Sequence, residues 1–324
     1  MITEPLISVI IPVYNVEASL HLALDSLLNQ TFRDWEAVCV DDGSIDGSGA
    51  CLDEYAGRDS RIKVIHKENG GVSSARNCGL KLARAPYITM LDADDYFEPS
   101  ALEQLYLCMK ENDCDVVLCT MRKIFSDGRA EIENVYFDAG LHVATPADIY
   151  RFAMRSVFCK LYKRDILNRK KIHFPLGIPI CEDDVFVVSY WYHVQSFYML
   201  TKSLYNYVQS ESSVLKKLGE GRLPIESYMA TLEVPTKIYH YILSQRPQTD
   251  MLRVWCRLLL KAQCNIDLWM LECAKNNEYV PKLREKIKQM RAIIKKQISF
   301  WEYSYIVGYT YLKRFVRKVI KKLF

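Results

Sequence analysis

Ile88-Thr89-Met90-Leu91-Asp92-Ala93-Asp94-Asp95-Tyr96 is the stretch on which the reading of the chain turns. A short apolar run ends in three carboxylates, and a helix is expected to start near Pro99. Residues 87–91 read as a buried strand with acids at its carboxyl end, which is where open α/β sheets bind ligands. Three carboxylates within four residues repel one another unless a cation or an ordered set of donors holds them. An acidic turn that also caps the next helix is the other reading, and this stretch alone leaves both open.

The same pattern recurs on either side of this stretch. Residues 6–11 (LISVII) form a continuous β-rich run that Pro12 stops, as suits a strand covered on both faces. Residues 35–40 are a second strand, and it too ends in acids, Asp41-Asp42-Gly43-Ser44. Residues 61–66 and 115–120 are further strands. Helical spacing covers 16–28, the stretch from Ser48 to about Ala56, the segment from Val72 and 99–111. Strand and helix alternate with short links through residue 120, which predicts an α/β fold, a mostly parallel sheet with helices on both faces. Two strand ends bearing carboxylates over one crevice point to a nucleotide and metal site. A dinucleotide fold would need G-x-G-x-x-G after the first strand. Pro12-Val13-Tyr14-Asn15 stands there instead, and no P-loop motif occurs.

Composition narrows the class. Half of the 324 residues are hydrophobic and a quarter charged, enough apolar material for a large core. The formal net charge of +4 is unevenly spread: residues 282–324 hold 13 Lys/Arg against 2 Asp/Glu, and the remainder 30 against 37. An acidic body with a basic tail argues against a broad nucleic-acid footprint. The eleven cysteines include no C-x-x-C pair, which predicts a reducing compartment and no structural zinc. Residues 1–6 lack the layout of a signal peptide, and no run of eighteen apolar residues occurs. The expected location is the cytoplasm, at most peripheral on the inner face of a membrane. The six histidines show no metal-ligand spacing, and His173 and His193 read as packing or surface residues.

Taken together, Val9-Ile10-Ile11-Pro12-Val13-Tyr14-Asn15, Gln30-Thr31-Phe32, Val40-Asp41-Asp42-Gly43-Ser44, Gly71-Val72-Ser73-Ser74-Ala75-Arg76-Asn77-Cys78-Gly79 and Leu91-Asp92-Ala93-Asp94-Asp95 resemble the family-2 glycosyltransferases with the GT-A (Rossmann-like) fold. The motifs come in the family's order over about residues 6–120. The resemblance implies a nucleoside site in which Pro12 and Tyr14 border the base, with Asn15 in support, and Asp42 accepts from the uracil N3–H. It implies Arg76 at the diphosphate, Asp92 on the ribose, and Asp94 as ligand of a divalent cation, Mn²⁺ or Mg²⁺. Asp95 would be a further ligand through water, or a helix cap.

The second half adds one more site. Phe158-Cys159-Lys160-Leu161-Tyr162-Lys163-Arg164 resembles a family segment, with Lys160 in support. Glu182-Asp183-Asp184-Val185-Phe186 resembles the E-D-x-x-F pattern of inverting members. The resemblance makes Asp183 the general base toward the acceptor hydroxyl, flanked by Glu182 and Asp184. Acids that merely stabilise a helix start are the alternative. One departure stands out: many members carry Arg or His in a "Y-Y-R-x-R-x-x-S" segment, whereas 205–213 here has neither, and Ser213, Lys216 or Lys217 would have to serve.

Residues 122–141 are expected to be extended and 142–155 helical, entered through Thr145-Pro146. From 223 onward the spacing is helical over 225–243, 249–273 and 281–298. In 300–324 aromatic and aliphatic residues fall on one side and lysines and arginines on the other. That form suits a helix in a membrane interface, or one docked on the body. The expected organisation is a catalytic domain over 1–220 (nucleotide half about 1–120, acceptor half about 121–220), then a helical region over 221–324 with its basic tail at about 282–324. The expected function is metal-dependent, inverting transfer of a hexose or N-acetylhexosamine from a UDP-sugar to a saccharide or lipid-linked saccharide acceptor in bacterial surface-polysaccharide synthesis. The competing classes are an inactive nucleotide-sugar-binding relative and a membrane-surface interaction protein.

Overall fold

The computed structural model describes residues 4–132, 137–145, 148, 156–209, 217–218, 220–273, 279–295, 299, 303–304, 306–307 and 310. The chain forms two compact units: Met1–Thr145 with Ala153–Gly177 and His193–Glu211, and Pro146–Phe152 with Ile178–Tyr192 and Ser212–Phe324.

The first unit holds one sheet of ten strands: β1 (Ile7–Val13), β2 (Trp35–Asp41), β3 (Ile62–His66), β4 (Tyr87–Met90), β5 (Tyr96–Phe97), β6 (Val116–Ile124), β7 (Ala130–Ile132), β8 (Gly140–Val143), β9 (Lys160–Lys163) and β10 (Ser196–Val208). Their order is β3-β2-β1-β4-β9-β6-β10-β5, with β7 on β6 and β8 on β10. β1 is central because it can be: Ile7, Val9, Ile10 and Ile11 are fully buried, and alternate residues cannot all be apolar unless both faces are covered. It runs parallel to β2 (Val9 opposite Ala37) and to β4 (Ile10 opposite Met90). Helices α1 (Leu20–Leu28), α2 (Ser48–Arg58), α3 (Val72–Leu82), α4 (Ala101–Asn112) and α5 (Arg164–Arg169) pack in this unit. α3 approaches β1 closely at Gly79, where any Cβ would run into Ile10 Cγ2.

Glu36, 1% exposed, pins the edge of this core. Burial pushes its carboxyl up. Four donors outweigh burial and hold it at about 2: the Lys63 ammonium, the Arg84 N–H, the Ser8 hydroxyl and the Arg84 guanidinium. A folded pKa below the unfolded one means the stabilisation is complete above about 4.5 and is lost as pH falls toward about 2. The shift corresponds to roughly 3 kcal/mol. Urea midpoints followed from pH 6 to 3 should therefore fall more steeply for wild type than for Glu36→Gln, which is expected to be less stable at pH 7 by a similar amount.

The parallel sheet expected through residue 120 is found in β1–β4, but beyond it the sheet is mixed. β9 enters antiparallel to both β4 and β6, and β10 is parallel to β6 but antiparallel to β5 and β8. β6 runs on to Ile124, past the expected end at 120. The helix expected from His142 is corrected at its start: His142 and Val143 belong to β8, whose alternate residues pair with β10. Most of the remainder of that stretch, residues 146–147 and 149–155, lies outside the described residues. α1 begins at Leu20, not at 16, because a turn closed by Val16 O precedes it.

The second unit is helical: α6 (Glu182–Trp191), α7 (Ile225–Thr231), α8 (Val234–Ser244), α9 (Thr249–Cys273) and α10 (Tyr279–Lys295). The single helix expected over 225–243 is two, broken before Pro235, which sits in the first turn of α8 where a missing N–H costs nothing. α10 is amphipathic and basic, but its apolar residues Leu283, Ile287, Met290 and Ile294 are buried, and it packs on α8 and α9. Within the tail expected at a membrane, this part therefore presents cations and no apolar face. Its Arg291 forms an ion pair with the fully buried Asp267 of α9 at 2.6 Å. Residues 311–324 lie outside the described residues.

Candidate active site

The order 3-2-1-4 reverses direction between β1 and β4, the switch point at which an open sheet leaves a crevice past its strand ends. Tyr14 and Asn15 follow β1, Asp42 follows β2 and Asp92 follows β4, so these expected site residues flank that crevice. Pro12 is half-buried, and Tyr14 is 49% exposed, a large aromatic face held in the open. Asn15 has a left-handed backbone (φ 52°). Its N–H donates to Ser44 Oγ (3.1 Å) and its Oδ1 accepts from the Ile45 N–H (2.9 Å), which locks the loop after β1 to the loop after β2.

The two acids after β2 do different work. Asp41 caps its turn through the Ser44 N–H (2.9 Å) and bonds His66 Nδ1 (2.8 Å). The His66 pKa is raised by Asp41 and Asp53. Asp42 is 2% exposed and gathers the loop 67–71. Its carboxylate accepts from the Lys67 ammonium, from the Gly70 N–H (3.1 Å) and from the Gly71 N–H (2.7 Å), while its carbonyl takes the Asn69 amide (2.9 Å). This carboxylate is thus fixed in place by its own chain, with the Lys67 ammonium beside it.

Arg76 is buried on α3, donates to Asp92 Oδ1 (2.9 Å) and lies over the Phe174 ring at 5.3 Å. The close Gly79–Ile10 approach sets α3, and hence Arg76, against the sheet. Asp94 differs from its neighbours. Burial and the Asp92 charge push its carboxyl up to about 6, and among the described residues it has no ion pair. No group of three acids, histidines or cysteines that could hold a metal exists among the described residues. An unbalanced, desolvated carboxylate beside a second one fits a hard cation that takes most of its oxygens from phosphate and water, the usual Mg²⁺ arrangement.

Asp95 has a structural place. It is fully buried, one oxygen takes the Tyr205 hydroxyl (2.6 Å) and the other the Val208 N–H (2.8 Å). Burial and the charges of Asp92 and Asp94 push its pKa well up. The water-mediated ligand and the helix cap expected of Asp95 are not what its hydrogen bonds show. Tyr205, missed in the sequence although it lies in the segment compared with the family, is the hub: its oxygen also accepts the Asp92 N–H (3.2 Å), and its ring stacks on Phe158 at 4.5 Å. Tyr205→Phe would strand one Asp95 oxygen. It is expected to cost about 1–3 kcal/mol in urea unfolding and to raise the metal concentration needed for half activation. Lys160, 4% exposed, donates to the Ser156 (2.6 Å) and Phe158 (3.3 Å) carbonyls and so props the loop that carries Phe158.

In the second unit, α6 opens with Glu182, Asp183 and Asp184. Glu182 and Asp184 are buried, and Asp183 alone of the three is half-exposed. Its Oδ1 accepts the Asp184 N–H at 3.0 Å. Burial and the three acids push the Cys181 thiol well up, so it stays protonated and is no nucleophile. Lys217 is half-buried, and Lys216 and Ser213 lie outside the described residues. His193 is half-buried, and burial and nearby cations lower its pKa to about 4. His173 is exposed. Neither belongs to a group that could hold a metal among the described residues.

These features define a class before they define a reaction. The family model for glycosyl transferase family 2 matches residues 8–169, and the chain belongs to that family. The Bacillus subtilis putative glycosyltransferase EpsH is 33% identical over 73% of this chain and 72% of its own length. The B. subtilis uncharacterized glycosyltransferase EpsJ is 37% identical over 65% of this chain and 63% of its own length, and Streptococcus pneumoniae GlyA 33% identical over 64% of this chain and 31% of its own length. The chain thus spans less than two thirds of some of these relatives. The crystal structure of S. aureus TarS 1–349 in complex with UDP-GlcNAc superposes with a TM-score of 0.62 at 21% identity, over 93% of this chain and 92% of that one. That likeness shows the GT-A fold with a helical C-terminal region.

Proposed function

We propose that the chain is an inverting glycosyltransferase that moves a hexose or N-acetylhexosamine from a UDP-sugar to a saccharide of a cell-surface polymer. The observation that carries the reading is the geometry at the switch point: Arg76 paired with Asp92, and Asp94 beside them half-buried, with no ion pair among the described residues. Such a group suits a diphosphate that brings its own cation. Relatives point the same way. Poly(ribitol-phosphate) β-N-acetylglucosaminyltransferase TarP of S. aureus is 29% identical over 72% of this chain, and TarS has been seen with UDP.

In this reading Tyr14 covers the base, Asp42 reads the uracil N3–H, and Asp92 binds the ribose while it holds Arg76 toward the diphosphate. Asp94 would hold Mn²⁺ or Mg²⁺, which when bound would offset the charge that develops on departing UDP. Asp183, at a helix N-terminus that favours a carboxylate, takes the proton of the acceptor hydroxyl as that oxygen attacks the anomeric carbon. A single displacement inverts the centre. The functional division expected from the sequence, 1–220 and 221–324, is part of this proposal. No helix among the described residues is long and apolar enough to cross a membrane. Attraction to an anionic surface would rest on the cations of 282–324. UDP release from a panel of UDP-sugars with Mn²⁺, alone and with saccharide acceptors, tests the reading. Release from at least one donor is expected, and release from none, with no UDP binding, would defeat it.

A further inference from the structure

The first unit contains a cavity of about 240 Å³ between α3 and α5 that the nucleotide reading does not use. Lys81, Arg164 and Lys171 line it together with His173, and no carboxylate does. Its apolar lining is Leu80, Leu167 and Ile172. In a body whose first 281 residues carry 30 Lys/Arg against 37 Asp/Glu, a hollow with three cations and no acid is an unbalanced positive site.

The cations are held on fixed supports. The Arg164 guanidinium donates to the Ala83 carbonyl at 2.8 Å, which sets its plane. Lys171 sits in the left-handed region (φ 52°) on a closed turn: its N–H donates to Asn168 O (3.2 Å), its carbonyl takes His173 Nδ1 (2.9 Å), and the Ile172 N–H closes on Leu167 O (2.9 Å). Asp165, the acid of α5, is engaged by Arg169 at 2.6 Å. The cavity also shares a wall with the site already described. Asn77 grips the Phe174 backbone at 2.9 and 2.8 Å, and the Phe174 ring lies under Arg76.

We propose that this cavity is an anion site for a phosphate group carried on an organic ligand, a phosphomonoester or phosphodiester. Arg164, Lys81 and Lys171 supply charge-assisted donors to the phosphate oxygens. Leu80, Leu167 and Ile172 cover the adjoining carbon chain. A soluble phosphorylated polyol and a lipid headgroup share this chemistry. Binding here does not depend on the donor reading, so either can fail alone.

The test is a methyl-NMR titration of the full chain. Glycerol 3-phosphate is expected to shift the Ile172 and Leu80 methyls saturably, and glycerol is not. Lys81→Glu with Lys171→Asn, both exposed positions and the second tolerant of a left-handed backbone, should raise the half-saturating concentration about tenfold. Thermal melts of the double variant within a degree or so of wild type would show that the fold survives. Bicelles with phosphatidylglycerol form the second arm against phosphatidylcholine alone. Saturation by the soluble ester marks a soluble ligand, and saturation only with phosphatidylglycerol marks a lipid headgroup. No shift in either arm, or equal half-saturation in the double variant, overturns the proposal.

Discussion

Asp183→Asn is expected to lower the turnover number of glycosyl transfer by about a thousandfold or more, with UDP affinity within about twofold of wild type. The substitution is nearly isosteric. Its amide oxygen can still accept the Asp184 N–H that Asp183 accepts at 3.0 Å, so the start of α6 should keep its geometry. What is lost is a group able to take a proton. The neighbouring acids provide the contrast. Glu182 and Asp184 are 8% and 7% exposed, and Glu182→Gln and Asp184→Asn should act on the melting temperature before they act on turnover. Single-turnover rates with UDP affinity measured alongside separate the two effects. A large loss of UDP affinity in Asp183→Asn would move this residue from the chemistry to donor binding.

Asp94→Asn is expected to move activity and stability in opposite directions. In the absence of a cation the Asp94 charge is unfavourable, since burial and Asp92 push its carboxyl up to about 6. A neutral amide removes that repulsion and should stabilise the metal-free chain at pH 7 by on the order of 1–2 kcal/mol. The same change removes the cation's protein ligand. The thermal stabilisation by Mn²⁺ with UDP should vanish, and kcat/KM should fall by about a hundredfold or more. Gain of stability with loss of function is the expected signature of a site that holds charge for a ligand. If Asp94→Asn were destabilised, and still stabilised by Mn²⁺ with UDP as wild type is, the carboxylate would be a structural group.

The nucleotide half was legible because each element there is locally determined. β1 is an apolar, β-rich run, though it continues through Pro12 to Val13 instead of stopping at the proline as expected; β2 reaches the buried Asp41, and further acids follow β2 and β4 within two residues. The later part of the sheet was not, since long-range pairing decides it. β9 is only four residues, and nothing in Lys160-Leu161-Tyr162-Lys163 says that it enters antiparallel between β4 and β6. His142 and Val143 looked like a helix start but are drawn into β8 by pairing with β10. The same holds within the site. The motif residues were found, but their wiring was hidden in sequence separation: Tyr205 lies 113 residues from the Asp92 N–H that it accepts, and Asn77 lies 97 from the Phe174 backbone that it holds. The amphipathic spacing of α10 could be read as a membrane face or a docking face, and only packing distinguishes them. Its Leu283, Ile287, Met290 and Ile294 are buried in the second unit.

Calorimetric titration of UDP with Mn²⁺ into wild type, Asp183→Asn and Asp94→Asn asks whether the acids after β4 hold a nucleoside diphosphate while the acid of α6 does not. Wild type and Asp183→Asn should bind UDP alike, and Asp94→Asn should lose its metal-dependent binding. No UDP binding by the wild-type chain, or equal binding by Asp94→Asn, would contradict that assignment.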